Sequence, residues 1–401
     1  MNSSTKGTKI KNNSPNIRVW GIVVMITIVV VVIFSISVFF VDRFKIPGIT
    51  HSCWGNFGDF IGGILVPLLS AYSFFLLIRT LVFQLQSNNL VSDSNNLTQF
   101  NEMFKLLLDE YHSTIKEYSY NGMKGREALK LYKDNIFNKG KVSTGSSLIE
   151  SRHNDAVNEF ETFYATYRPI ASIQFKLLYR IMNLVETSNI HEDRKQEVVK
   201  IIRCQLSEQE LFFLRYDAFS RYGEKMQDLI NKYNLLKHLP TLSTYEFAKY
   251  ASIINDDTHI NIVNNYLYTL RQETVKLLNR EGKDNSKNII LSECYYAILQ
   301  VEDNYSTFSI SINRIEKEPA SQPIDGVLDK LEKQNLLSGF LEDFSIELFV
   351  FSNFGKLNNS PKISQETKRQ TDNGINIDTY TIKIKKCENR PYLYCTYSQC
   401  Q

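Results

Sequence analysis

The chain has 401 residues, with 46 Lys and Arg against 43 Asp and Glu and a formal net charge of +3. That balance excludes a strongly basic nucleic-acid binder and an acidic tail protein, and the length suits two or three domains. The six cysteines form no CxxC pair; they exclude a disulfide framework and fit a reduced set facing the cytosol.

Residues 1–18 carry Lys6, Lys9, Lys11 and Arg18 and no acid, and read as a basic cytosolic tail. Val19 to Val41 is an uncharged, valine-rich run, long enough as a helix to cross a hydrocarbon core of about 30 Å. Its apolar core is too long for a cleaved signal peptide and lacks a small-x-small cleavage site, so residues 19–41 read as a retained first transmembrane helix. A short loop, 42–56, follows. A second uncharged run, Phe60 to Ile78, is closed by Asp59 and Arg79, which sets the second span at 57–79. The basic tail stays inside, the neutral loop crosses, and Trp20 and Trp54 sit at interface depth. The expected place is a bacterial inner membrane, multi-pass, with both termini cytosolic.

The second span is chemically unlike the first. Gly58 and Gly62 make a GxxxG spacing, Gly63 follows, Pro67 removes a backbone donor, and Ser70 extends a weakly polar stripe. Asp59 complements the helix dipole. Two readings fit Gly58, Asp59, Gly62, Gly63, Pro67 and Ser70: a face that packs against copies of itself and lines a path for water or ions, or tight packing of one span on the other.

Beyond Arg79 the pattern is helical to about residue 280. Leu76, Phe83, Leu90, Leu97, Phe104, Tyr111 and Tyr118 lie seven apart, with Phe100 and Leu107 between. This fits either a self-associating stalk or a helix packed on its own domain, and Ser92 to Asn96 offers a break. Residues 121–150 read as a short helix with flexible flanks. A longer pattern from Leu148 to Val185 is interrupted at Pro169. Ser207 with Glu210 forms a capping box, and Gly223 suits the turn after that helix. Arg203 and Glu210 read as a structural polar pair. After residue 285 short Tyr- and Ile-rich runs take over, at Asn288 to Val301, Ser306 to Ile315, Phe344 to Phe351, Thr379 to Lys386 and Pro391 to Tyr397, with a helix from Ile324 to Leu337. Tyr380, Ile382 and Ile384 alternate with Thr381, Lys383 and Lys385, as in a half-buried strand. The expected fold is a mainly α membrane protein: two N-terminal transmembrane helices, a cytosolic helical domain at 80–285, and a cytosolic α+β domain with an antiparallel sheet at 286–401.

No HExxH, GxSxG, Walker or kinase motif occurs, and Glu281-Gly282-Lys283 lacks the preceding Asp of a nuclease. No enzyme activity, catalytic residue, cofactor or metal is expected. Cys387, Cys395 and Cys400 would need a fourth ligand to hold zinc. Lys383, Lys385, Lys386 and Arg390, interleaved with tyrosines such as Tyr380 and Tyr392, form either a partner surface for nucleic acid or a sheet edge protected by lysines.

The run Phe57-Gly58-Asp59-Phe60-Ile61-Gly62-Gly63-Ile64-Leu65-Val66-Pro67-Leu68-Leu69-Ser70 resembles the second membrane segment of the putative phage abortive infection (AbiC-like) family. Gly125-Arg126-Glu127-Ala128 and the stretch from Arg203 through Leu211 to Leu236 are similar to it as well, so the resemblance covers roughly residues 50 to 240. Val66 departs from an Asn associated with the position before the proline. The resemblance implies a two-helix membrane effector of antiviral defence, acting alone or beside a partner such as a retron reverse transcriptase with its RNA–DNA hybrid. It implies abortive infection by loss of inner-membrane integrity, through contact with the lipid bilayer and self-association, on a phage-derived trigger that the sequence does not identify. The alternative is a membrane-tethered receptor or scaffold whose killing activity lies in another protein.

Overall fold

The structure, a computed structural model, describes residues 27, 29–34, 36–38, 52–143, 148–279, 285–292, 294–302, 306–315, 326–355, 362–372 and 375–386. They are mainly helical, with a C-terminal antiparallel sheet. The chain divides into two compact units, Met1–Asn96 and Leu97–Gln401.

A short apolar helix, α1 (Val29–Val38), falls within the expected first span. The rest of that span, the basic tail and residues 42–51 lie outside the described residues. Helix α2 (Ser52–Lys116) is continuous for 65 residues and carries Pro67 inside it. Among the described residues one helix, the Val66–Lys116 part of α2, is long and apolar enough to cross a membrane, and none of its most apolar window is buried. Two spans were expected; one such helix is found. Ser92–Asn96 does not interrupt α2: these residues are helical and exposed, and on a solvated face Ser, Asp and Asn lower helix propensity by only a few tenths of a kcal/mol each, about 0.5.

The heptad residues behave differently along α2. Phe83 and Leu90 are 70% and 71% exposed, whereas Phe100 and Tyr111 are buried in the second unit. After α2 the chain turns through a hairpin, β1 (Ser119–Tyr120) and β2 (Met123–Lys124). Asn121 and Gly122 both have positive φ there, +48° and +81°, as a two-residue primed turn requires. The helix expected within residues 121–150 begins just after this hairpin, at Arg126, and the hairpin itself was not foreseen.

Six helices follow: α3 (Arg126–Ser143), α4 (Ile149–Thr166), α5 (Arg168–Thr187), α6 (Glu192–Gln205), α7 (Glu208–Phe219) and α8 (Gln227–Tyr233). Pro169 sits in the first turn of α5, where its missing N–H has no intrahelical partner to lose. Ser207 and Glu210 form the expected capping box at the start of α7. One core cluster joins these helices to the end of α2, through Tyr111, Phe160, Phe163, Ile181, Val199 and Phe213.

Helices α9 (Ala248–Ile254) and α10 (Asp257–Asn279) lead to the sheet, whose strands are β3 (Ser286–Ile290), β4 (Tyr295–Glu302), β5 (Thr307–Ile315), β6 (Lys362–Asp372) and β7 (Ile375–Lys385). Their spatial order is β3-β4-β5-β7-β6, all antiparallel. Between β5 and β6 lie α11 (Gly326–Lys333) and α12 (Leu337–Phe349). The expected strand at Phe344 to Phe351 is therefore corrected: most of it is the C-terminal part of α12. Phe340, Leu341, Phe344, Ile346, Leu348 and Phe349 are all buried, and a helix covered all round shows no stripe to separate it from a buried strand. A second core cluster unites Leu242, Phe247 and Leu267 with Leu299, Phe308, Ile310 and Leu341. It crosses residue 285, where the secondary-structure pattern changes.

Candidate functional site

The six residues singled out in the second span all lie on α2. Positions 58, 62, 66 and 70 are four apart, as are 59, 63 and 67, so they form two adjacent rows on one helix face. Gly58, Asp59, Gly63, Pro67 and Ser70 are exposed and Gly62 is half-buried. A Cβ added at Gly58, Gly62 or Gly63 would meet nothing within 4 Å. Val66, 62% exposed, stands in the same row. The face is smooth, and among the described residues nothing covers it.

The stretches Gly125–Ala128 and Arg203–Leu211 meet in space. Arg126 donates from Nη2 to the Gln205 carbonyl at 2.6 Å and places Nε 3.1 Å from Glu210 Oε2. Tyr111 donates to Glu210 Oε1 at 2.9 Å, and the Ser207 amide donates to Glu210 Oε2 at 2.8 Å. Glu210 is thus fully engaged, and its cation is Arg126, not Arg203. The break at Leu206–Ser207 takes Arg203 and Glu210 onto different helices.

A buried ionic centre lies deeper, formed by α4, α7, α9, α10, α12 and the 3-10 turn Tyr245–Phe247. Arg152 is fully buried; its Nη2 meets Asp343 Oδ2 at 2.5 Å and its Nε donates to the Glu246 carbonyl at 2.9 Å. Arg215 grips Glu347 with two nitrogens, at 2.8 and 2.7 Å, and reaches Glu246 at 3.3 Å. Tyr216 donates to Glu246 Oε2 at 2.7 Å and Tyr250 to Asp343 Oδ2 at 2.5 Å. His153 Nδ1 lies 2.6 Å from Glu246 Oε1. Burial alone would raise the Glu246 pKa, but Arg215, His153 and Tyr216 hold it well below the carboxylate range. Ions this deep are tolerated only when fully paired, so the centre fixes how its elements meet.

His153 also borders a cavity of about 410 Å³, stacked on Phe351 at 4.2 Å and edge-on to Phe219 at 4.3 Å. Glu246 orients this imidazole, but the cavity lining contains no hydroxyl, thiol or amine nucleophile. Among the described residues no group of three or more His, Cys, Asp and Glu is placed for a metal. Sequence reading passed over this centre. Its signal was a charge inside an apolar run: Arg215 after Leu211-Phe212-Phe213-Leu214, and Glu347 between Ile346 and Leu348.

On the sheet, Ile382 and Ile384 are buried while Lys383 and Lys385 point the other way. Strand β7 lies between β5 and β6, so these lysines do not guard an edge. Lys385 is opposite Lys362 in register, and Lys383 lies 3.7 Å from Glu366. Tyr380 belongs to the other face, where it donates to Glu332 at 2.9 Å. Lys386 follows β7, its amide bonded to the Ser306 carbonyl. Arg390, Tyr392, the strand expected at Pro391 to Tyr397 and the three C-terminal cysteines lie outside the described residues, as do Glu281, Gly282 and Lys283.

Residues 171–244 match the family described as "Putative phage abortive infection protein". Comparison with curated proteins and with solved structures gives no match. The matched segment contains Gln205 and Glu210, which meet Arg126, Ser207, which caps the helix of Glu210, and Arg215, Tyr216 and the 3-10 turns Leu235–His238 and Thr241–Ser243. Through this segment the chain is similar to the putative phage abortive infection family that its sequence resembles.

Proposed function

We propose that the protein is a membrane-embedded effector of phage defence, which ends infection by breaching the inner membrane when triggered. What most supports this is α2: a helix able by length and composition to span a bilayer, with an uncovered Gly58/Gly62/Gly63/Pro67 face. In lipid, where apolar surface gives no drive for association, such small-residue faces bring helices into close contact. Pro67 frees a backbone carbonyl inside the helix, which water or an ion can use once copies assemble. Both termini face the cytosol, the soluble body restrains the helices, and the action is assembly in lipid and not turnover. The Lys362/Lys385 pair, beside Lys383 and Lys386, suits a nucleic-acid-bearing partner of the kind a retron reverse transcriptase supplies.

The test is membrane potential in infected cells carrying the wild type, Gly62→Leu or Asp59→Ala. Gly62→Leu should abolish both depolarisation and protection, with Asp59→Ala intermediate, at unchanged protein level in the membrane fraction. Depolarisation in both variants defeats the mechanism. Protection by a chain whose helices are replaced with an unrelated two-helix anchor would make it a scaffold instead.

A further inference from the structure

A basic cavity of about 260 Å³ opens between the turns that follow α8 and helix α10. Lys237, His238, Thr241, Asn264, Tyr268 and Arg271 contribute to its wall, and no carboxylate does. Asn264 Oδ1 accepts from the Leu242 amide at 2.9 Å, which leaves the Asn264 amide nitrogen as a donor. Arg271 is almost completely buried, and its Nη2 is 3.6 Å from Glu347 Oε1. That carboxylate is also gripped by Arg215, which reaches Glu246 as well.

A further cation lies close by. Arg203, at the end of α6, is 7% exposed, and among the described residues its Nε and Nη1 have no hydrogen-bond partner. Its charge is felt at His238, whose pKa is lowered first by burial and then by Arg203 and Lys237. A buried guanidinium with idle donors is costly unless something negative approaches it. The site thus combines excess positive charge, fixed donors, a volume larger than a bare oxyanion and an accessible tyrosine ring.

We propose that this cavity binds a small molecule through a phosphoryl group. Lys237, His238 and Arg271 hold the oxygens, Arg203 supplies field from behind them, and Tyr268, 43% exposed, covers the organic part. A multiply charged phosphoryl group answers several cations, where a carboxylate would answer one. Whether the phosphoryl group is carried by a soluble metabolite or a lipid headgroup, the chemistry recognised is the same. The site does not depend on what α2 does in lipid.

The experiment uses the full chain in neutral detergent, titrated calorimetrically with inorganic phosphate and with adenosine monophosphate, and separately with micelles containing phosphatidic acid. The wild type should bind at least one of these probes. Lys237→Gln should weaken that binding roughly tenfold, Lys237→Glu and Arg271→Gln more. Lys237 is partly exposed, so its variants should keep the wild-type melting temperature, which separates lost binding from lost folding. Binding of phosphate or the nucleotide identifies a soluble ligand; Lys237-dependent binding confined to the phosphatidic acid micelles identifies a headgroup. No binding of any probe, or binding indifferent to Lys237→Glu, overturns the proposal.

Discussion

Asp217 is a buried acid whose Oδ1 has no hydrogen-bond partner among the described residues. Burial alone pushes its pKa up, to about 7. In the unfolded chain it would titrate near 3.9. Between those values the folded state holds the proton and the unfolded state does not, so stability falls as pH rises from about 4 to about 7 and is flat above. Three units would correspond to roughly 4 kcal/mol at most. Asp217→Asn keeps the shape without the charge. Its melting temperature should exceed that of the wild type at pH 8 and the two should converge only at about pH 4; parallel curves would refute this account. Gly223 shows how far such detail was legible. Its place in a turn could be read from the sequence, but the reason could not. Its φ is −105°, open to any residue, yet a Cβ there would lie 2.2 Å from the Asp217 carbonyl. Close approach demands the glycine, and that contact is invisible until α7 and its turn are in place. Arg203 and Glu210 likewise looked like one pair seven residues apart, because spacing cannot reveal that Arg126 arrives from a different helix.

At the scale of elements, α2 carries two kinds of apolar residue at one spacing. Phe100, Tyr111 and Ile115 are buried by the helices that follow, while Phe83 and Leu90, with Leu97 at 38%, remain exposed. Burying a Phe or Leu side chain is worth about 1.5–3 kcal/mol. If the exposed seam joins copies of the chain, replacing Phe83 and Leu90 together with Glu should weaken self-association by at least about tenfold. Sedimentation in detergent should then shift toward monomer, with the melt of the Leu97–Gln401 unit unchanged. An unaltered sedimentation profile would leave the seam without that role. Strong periodicity made α2 and the helices to Asn279 readable. Three elements were misread or missed, each for its own reason. Strand β6, Lys-Ile-Ser-Gln-Glu-Thr-Lys-Arg-Gln-Thr-Asp, is a polar edge strand of the kind that resists further pairing and shows almost no apolar alternation. The hairpin at Asn121-Gly122 spans too few residues for a period, although its turn pair was a signal in plain sight. Helix α12 alternates Phe344, Ile346 and Leu348 like a strand, and Val350 just after it keeps the pattern, but the helix is buried on all sides and its polar Glu347 faces Arg215 and not solvent.

The Leu97–Gln401 unit is held together by charges that come from far apart in sequence. Arg152 and Asp343 are 191 positions apart, and Arg215 and Glu347 are 132 apart. The matched family segment supplies Arg215, and the region after the change of pattern at 285 supplies both acids. The second core cluster crosses the same point, with Phe247 and Leu267 packed among Leu299, Phe308 and Leu341. A fragment ending at residue 285 would keep Arg152 and Arg215 but lose Asp343 and Glu347. It would also uncover the apolar sides of α9 and α10. Removing one partner of a buried ion pair costs about 3–5 kcal/mol, and two such losses rival the roughly 5–15 kcal/mol that holds a whole domain folded. Residues 97–401 expressed alone should therefore melt cooperatively, while residues 97–285 should aggregate or give no transition in calorimetry. A cooperative melt from 97–285 would mean that the ionic centre is dispensable, and that the helices carry the family segment without help from the sheet.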